Sequence, residues 1–404
     1  MPIDFNPHVI NSNIQPQIVA PQYSVQNQPI KDTFIKSTDV KYDGIKIEKK
    51  NFGKIEKTGE QAHLYTITNK NGAKVNLSTF GATITGIKIP DKNGKLVDIT
   101  HGYNNVTPYE KSPVGHAGGT IGPCANKINE GKFSINGKFY ELECNKDNDT
   151  THSHGGSDGF DVQNWNAKVL RDGVKFTYIK KDMENGYPGN VKASVTYKFD
   201  NDNNLHIIYN ATSDKDTLIN MTNHTYFNLD GADKTQEGSV LDHVVTLPNS
   251  KYLTKTNSIA IPTGELMEIK NTPFDFSTPK RIGDVINEDH EQLKFAKGFD
   301  QNFCVENYDG NSIIEVAQVE SPNSDIGLKV STNLPGFQFY TANNLGKSTQ
   351  PAGKDGSKYE KRSGFCVEPQ FYPNAINTES FAEKGILKAG EEYNREIVYS
   401  FYLK

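Results

Sequence analysis

The chain has 404 residues, 35% of them hydrophobic and 23% charged, with a formal net charge of −5. Charges of both signs are interspersed, which excludes the basic footprint of a nucleic-acid binder. No run approaches the ~18 apolar residues that span a bilayer. Four cysteines (Cys124, Cys144, Cys304, Cys366) include no CxxC pair, so buried reduced thiols are expected rather than a zinc knuckle or a redox motif.

Residues 1–45 read as a flexible N-terminal tail. Up to Gln28 the composition is dominated by Asn, Gln, Pro and Ile, with Asp4 as the one acid and no Lys or Arg. A targeting or partner-binding arm is the alternative. The segment lacks the basic and apolar regions of a secretory leader, so a cytoplasmic location is the default expectation. From Phe52 onward the signals are β. Val75, Leu77 and Thr79 alternate with polar neighbours, as do Val195 and Tyr197, and Leu205, Ile207 and Tyr209. Asn71-Gly72, Asn93-Gly94, Asn136-Gly137 and Asp172-Gly173 are Asx-Gly pairs, which supply the positive φ of tight hairpins. Phe133 and Ile135 before Asn136-Gly137, with Phe139 after it, predict one hairpin. Helical pattern is confined to Arg281–Leu293, where Ile282, Val285, Ile286 and Leu293 line one face. Residues 46–404 are therefore expected to form one large all-β antiparallel sandwich domain.

Several compact segments carry chemistry. They are Gly81-Ala82-Thr83-Ile84, Ala125-Asn126-Lys127-Ile128, His154-Gly155-Gly156, Asn223-His224-Thr225-Tyr226-Phe227-Asn228, Gly298-Phe299-Asp300-Gln301-Asn302-Phe303, Gly336-Phe337-Gln338-Phe339-Tyr340 and Gly364-Phe365-Cys366-Val367-Glu368-Pro369-Gln370. A glutamate is ordinarily solvated, but Glu368 follows the apolar Phe365-Cys366-Val367, where a carboxylate needs a reason. His224 lies among Asn220, Thr222, Asn223 and Thr225, where a purely structural histidine is the alternative. Two glycines after His154 allow close backbone approach. His152 and His154 at alternate positions invite a metal reading, but no acidic or cysteine ligand completes the set with familiar spacing.

In order and spacing these segments resemble the aldose 1-epimerase (galactose mutarotase) family, from about Phe52 to the C-terminus. The resemblance implies a galactose-mutarotase-like β-supersandwich with a sugar cleft on a concave face. It implies an isomerase that interconverts the α and β anomers of a free hexose, galactose or glucose, by acid–base ring opening and reclosure. It assigns Glu368 as base and His224 as acid, with His154 near the ring oxygen. Asp300, Gln338, Asn126 and Lys127 would bind sugar hydroxyls. No metal or organic cofactor is needed, the partner is the small sugar, and no residue pattern sets an oligomeric state.

The family's Gly-Arg-Val-Ala-Asn-Arg-Ile reads Gly122-Pro123-Cys124-Ala125-Asn126-Lys127-Ile128 here. Lys127 keeps the second arginine's charge and loses its planar fork, and Pro123 removes a backbone donor. A non-catalytic carbohydrate-binding module is the first alternative. A sugar-phosphate 1-epimerase is the second, disfavoured by the loss of both arginines.

Overall fold

Period-two burial dominates the strands. Asn204–Ser213, for example, buries every second residue from Leu205 to Ser213, so each strand gives one side to the core. The computed structural model describes residues 40–404 except 112–114 and 149. The proposed tail thus lies, up to residue 39, outside the described residues. Sheet pairing begins at Val40, inside the stretch that composition assigned to the tail. Val40–Tyr42 pairs with Ile45–Lys54 through Asp43-Gly44, a further Asx-Gly turn with φ of 48° and 80°.

The described strands form three large sheets and several two-stranded ribbons, antiparallel in every strand pair. The first sheet holds six consecutive strands between Val40 and Asp98. The second holds nine, centred on Asn204–Ser213, Glu392–Leu403 and Ile326–Thr332. The third orders Pro262–Glu268, Tyr252–Thr256, Asp300–Cys304, Gly336–Tyr340 and Cys366–Gln370. One apolar cluster joins them: Ile67, Val75 and Leu77 from the first, Tyr197, Ile207 and Ile397 from the second, Phe303, Phe337 and Val367 from the third. This is the all-β sandwich expected from alternation.

Asn136-Gly137 turns its hairpin with φ of 52° and 76°, and Phe133 and Ile135 are buried while Phe139 is exposed. Asp172-Gly173 behaves differently, since neither residue has positive φ. Gly173 is needed for space, because a Cβ there would come within 2.0 Å of the Tyr197 carbonyl oxygen. The helical candidate at 281–293 is two pieces, Ile282–Val285 and Glu291–Ala296. The first ends at Val285, and His290 starts the second: its backbone is extended and its Nδ1 accepts from Gln292 N as a cap. Cys124, Cys304 and Cys366 are buried free thiols, as the sequence suggested.

Candidate active site

The third sheet is polar on one face and aromatic on the other. Cross-strand partners are Asn302 with Gln338, Gln338 with Glu368, Asp300 with Tyr340, and Tyr340 with Cys366. Opposed residues share a face, so Asp300, Asn302, Gln338, Tyr340, Cys366, Glu368 and Gln370 lie together. Phe303, Phe337, Phe339 and Val367, one residue out of phase, fill the core behind them. Three of the family-assigned residues are thereby brought together on adjacent strands.

On the polar face Gln338 Nε2 donates to Asp300 Oδ1 at 2.7 Å. Both side-chain polar atoms of Asn302, Oε1 of Gln370 and Oε2 of Glu368 are buried without a hydrogen-bond partner. Each such atom costs roughly 1–3 kcal/mol. A row of them on one face is hydrogen-bonding capacity suited to a polyhydroxylated ligand. Sequence reading missed Asn302, Cys366 and Gln370, although each is two residues from an assigned position and the period-two rule places it on the same face.

The remaining groups come from connecting segments. Thr222–Asn223 pairs with Thr120–Ile121. His224 follows, its backbone N–H donating to Gly119 O at 3.1 Å and its carbonyl accepting from Gly118 N at 2.8 Å. Its Nε2 stands 3.7 Å from Glu368 Oε2, and its Nδ1 lies 3.5 Å from Cys366 Sγ. Burial pushes the Glu368 carboxyl well above its ordinary range, with the Asp300 charge acting in the same direction. Burial pushes His224 down to about 3, helped by the charge of His116. Asp300 is raised, chiefly by burial, and its bond from Gln338 opposes that rise. The Cys366 thiol is likewise pushed well up by burial.

His154 closes the strand Thr151–Ser153, which pairs with Lys127–Asn129. Its Nδ1 accepts from Asn126 N at 3.3 Å, and its own N–H donates to Asn126 O at 3.0 Å. Burial, then the charge of His116, holds it neutral. A neutral ring accepting at Nδ1 carries its proton on Nε2. The glycines after it serve the protein's own chain: a Cβ on Gly155 would come within 2.0 Å of Gly122 O. His152 does not converge with His154. Its two nitrogens are each 2.6 Å from a partner, Glu143 O and Tyr187 Oη, and His154 leaves the strand with φ of 53°.

Lys127 Nζ contacts Asp147 Oδ2 at 2.7 Å and the Ile259 carbonyl. Its charge nevertheless reaches Asp300 and His154, opposing the burial-driven rise of the first and adding slightly to the depression of the second. An ammonium has three donors, so one remains after these two contacts. Among the described residues, His224, Cys366 and Glu368 form the group whose ligand atoms, within 4.8 Å of one another, could hold a metal ion. No helix among them is long and apolar enough to cross a membrane.

A buried carboxyl group stands beside a buried imidazole on a polar sheet face of a β-sandwich, the pairing that acid–base chemistry uses. A family model described as aldose 1-epimerase matches residues 63–400, and the chain belongs to that family. Galactose mutarotase of Sus scrofa is 37% identical over 331 residues, covering 81% of this chain and 91% of that protein. Aldose 1-epimerase of Escherichia coli (strain K12) is 32% identical over 350 residues, covering 85% and 96%. The crystal structure of galactose 1-epimerase from Lactobacillus acidophilus NCFM superposes with a TM-score of 0.74 at 26% identity, covering 89% of this chain and 99% of that one.

Proposed function

We propose that this chain is an aldose 1-epimerase, a mutarotase that interconverts the α and β anomers of free galactose or glucose. The observation that carries the mechanism is the buried pair of His224 Nε2 and Glu368 Oε2, 3.7 Å apart. Anomer exchange needs one group at the anomeric hydroxyl and another at the ring oxygen, two oxygens borne by the same carbon. Glu368 takes the hydroxyl proton. His224 gives a proton from Nε2 to the ring oxygen as the C1–O5 bond breaks. His154, with its proton on Nε2, donates a hydrogen bond beside that oxygen. The open aldehyde turns about C1–C2 and closes on its other face, with base and acid exchanging roles.

The pair conserves one proton through this cycle. Ring opening leaves a protonated Glu368 and a neutral His224, which is the state that burial of both groups favours. The starting carboxylate and imidazolium differ from it by one proton moved across the pair. With Nδ1 taken up by its 3.5 Å contact to Cys366 Sγ, Nε2 is the nitrogen left to exchange a proton. Asp300, Gln338, Asn126 and Lys127 hold sugar hydroxyls. A phosphate would demand clustered basic side chains, and Lys127 is already paired with Asp147.

Polarimetry of freshly dissolved α-D-galactose and α-D-glucose tests the reading. Catalysed decay of rotation without added metal or nucleotide is expected. Activity abolished by EDTA and restored by zinc would overturn it, and so would inertness toward both sugars.

A further inference from the structure

Three imidazoles meet at this site, and the mechanism above uses two of them. His116 is the third. Its ring centroid lies 4.8 Å from that of His154 and 5.9 Å from that of His224. Its Nδ1 is 2.6 Å from Asp161 Oδ2, a carboxylate that is itself nearly inaccessible. The His116 side chain is 17% exposed, against 6% for His224 and 3% for Glu368. It is therefore more accessible than either member of the proposed proton-transfer pair.

The local build fixes this placement. Gly119 N donates to His116 O, and the same turn bonds the backbone of His224 through Gly118 and Gly119. Gly118 has φ of 68°, and a Cβ on it would come within 1.9 Å of Ile84 O. Asp161 sits in the short turn Phe160–Val162, anchored by Phe160 N donating to Gly122 O. It lies against two more glycines. A Cβ on Gly81 would approach the Asp161 carbonyl oxygen to 2.3 Å, and one on Gly119 would approach Asp161 Cβ to 2.8 Å. The Gly81 segment, conspicuous in the sequence but without a role in the mechanism, thus makes room for the backbone of Asp161.

We propose that His116, oriented by Asp161, is a sugar-binding residue that hydrogen-bonds a hexose hydroxyl through Nε2; this rests on the mutarotase reading. With Nδ1 committed to the carboxylate, Nε2 has no hydrogen-bond partner among the described residues. A hydroxyl both donates and accepts, so it pairs with Nε2 whether or not that nitrogen is protonated. The carboxylate fixes the ring's orientation before the sugar arrives, which limits the entropy lost on binding. Lys127, with two donors already engaged, leaves a need for such a group.

The test uses the full chain with D-galactose and the variants His116→Phe, His116→Gln and Asp161→Asn. His116→Phe is expected to raise KM about three- to ten-fold, the loss of one hydrogen bond to a neutral group, with kcat held within about two-fold. His116→Gln recovers part of that loss, and Asp161→Asn raises KM by a smaller factor. Unchanged KM in both His116 variants overturns the proposal, as does a loss confined to kcat. Should His116→Phe fail to fold, His116→Gln decides. Calorimetric binding of galactose separates the two readings. A wild-type chain that binds galactose without turnover overturns the mutarotase reading, and weaker binding by His116→Phe would still support the contact.

Discussion

Gln338 lies directly across the strand pair from Glu368 while its amide nitrogen donates to Asp300 at 2.7 Å. The sheet's hydrogen-bond ladder and one side-chain bond thus fix three site residues relative to one another. The proposed binding groups and the proposed base share a rigid platform, as acid–base catalysis requires.

Glu368→Gln keeps the shape and most of the polarity of the side chain but removes its exchangeable proton. The expected result is a fall in kcat of at least ~10²-fold, with galactose still bound. Polarimetry combined with calorimetry checks both halves. A rate near wild type would assign the base elsewhere.

Asn302 is buried with neither side-chain polar atom paired. Asn302→Leu, which has the same number and branching of side-chain heavy atoms, removes that penalty and also removes two polar groups from the proposed sugar face. The expected outcome is a melting temperature higher by a few degrees and a KM several-fold higher. If stability falls, the amide has a partner in solution that the sheet face does not supply.

Acid should weaken the fold through buried histidines. Burial holds His101 and His224 down at about 3 and His243 at about 4, and His243 Nε2 accepts from Leu229 N. An unfolded histidine binds its proton near ~6.5. Folded pKa values are depressed, so the stability these groups contribute above that pH is lost as pH falls toward 4 and 3. The slope approaches ~1.4 kcal/mol per pH unit for each histidine. Denaturant midpoints between pH 7 and 5 should drop steadily, and a flat midpoint would contradict the assignment.

Lys127→Ala should raise KM by a few-fold, the effect of one lost hydrogen bond, and leave kcat nearly unchanged. Lys127→Arg offers a planar pair of donors and is expected to lower KM. Steady-state kinetics of both variants checks this. If neither moves KM or kcat, the lysine serves only its pair with Asp147.

The fold class was legible because alternation is a local signal: Leu205, Ile207 and Tyr209 announce their buried side without reference to any partner strand. The order of the motif segments pointed to Glu368, His224 and His154, and folding brings all three together. The His116–Asp161 pair was not legible, since the two residues lie 45 positions apart and meet only through a turn shaped by glycines. The helical pattern read over Arg281–Leu293 is two short helices, because apolar spacing continues across a break between Val285 and the second helix, which His290 caps.

The two-sided third sheet has a consequence for assaying the protein. Glu368 and Val367 face opposite sides of one strand, one toward the polar groups and the other into the aromatic core. A pairing error of a single residue would exchange them. It would drive the carboxylate among phenylalanines and leave the imidazole without its counterpart. On the proposed mechanism misregistered chains would be inactive rather than impaired, so the fraction of full activity recovered after refolding would track correctly paired molecules, a readout of strand register that needs no spectroscopy.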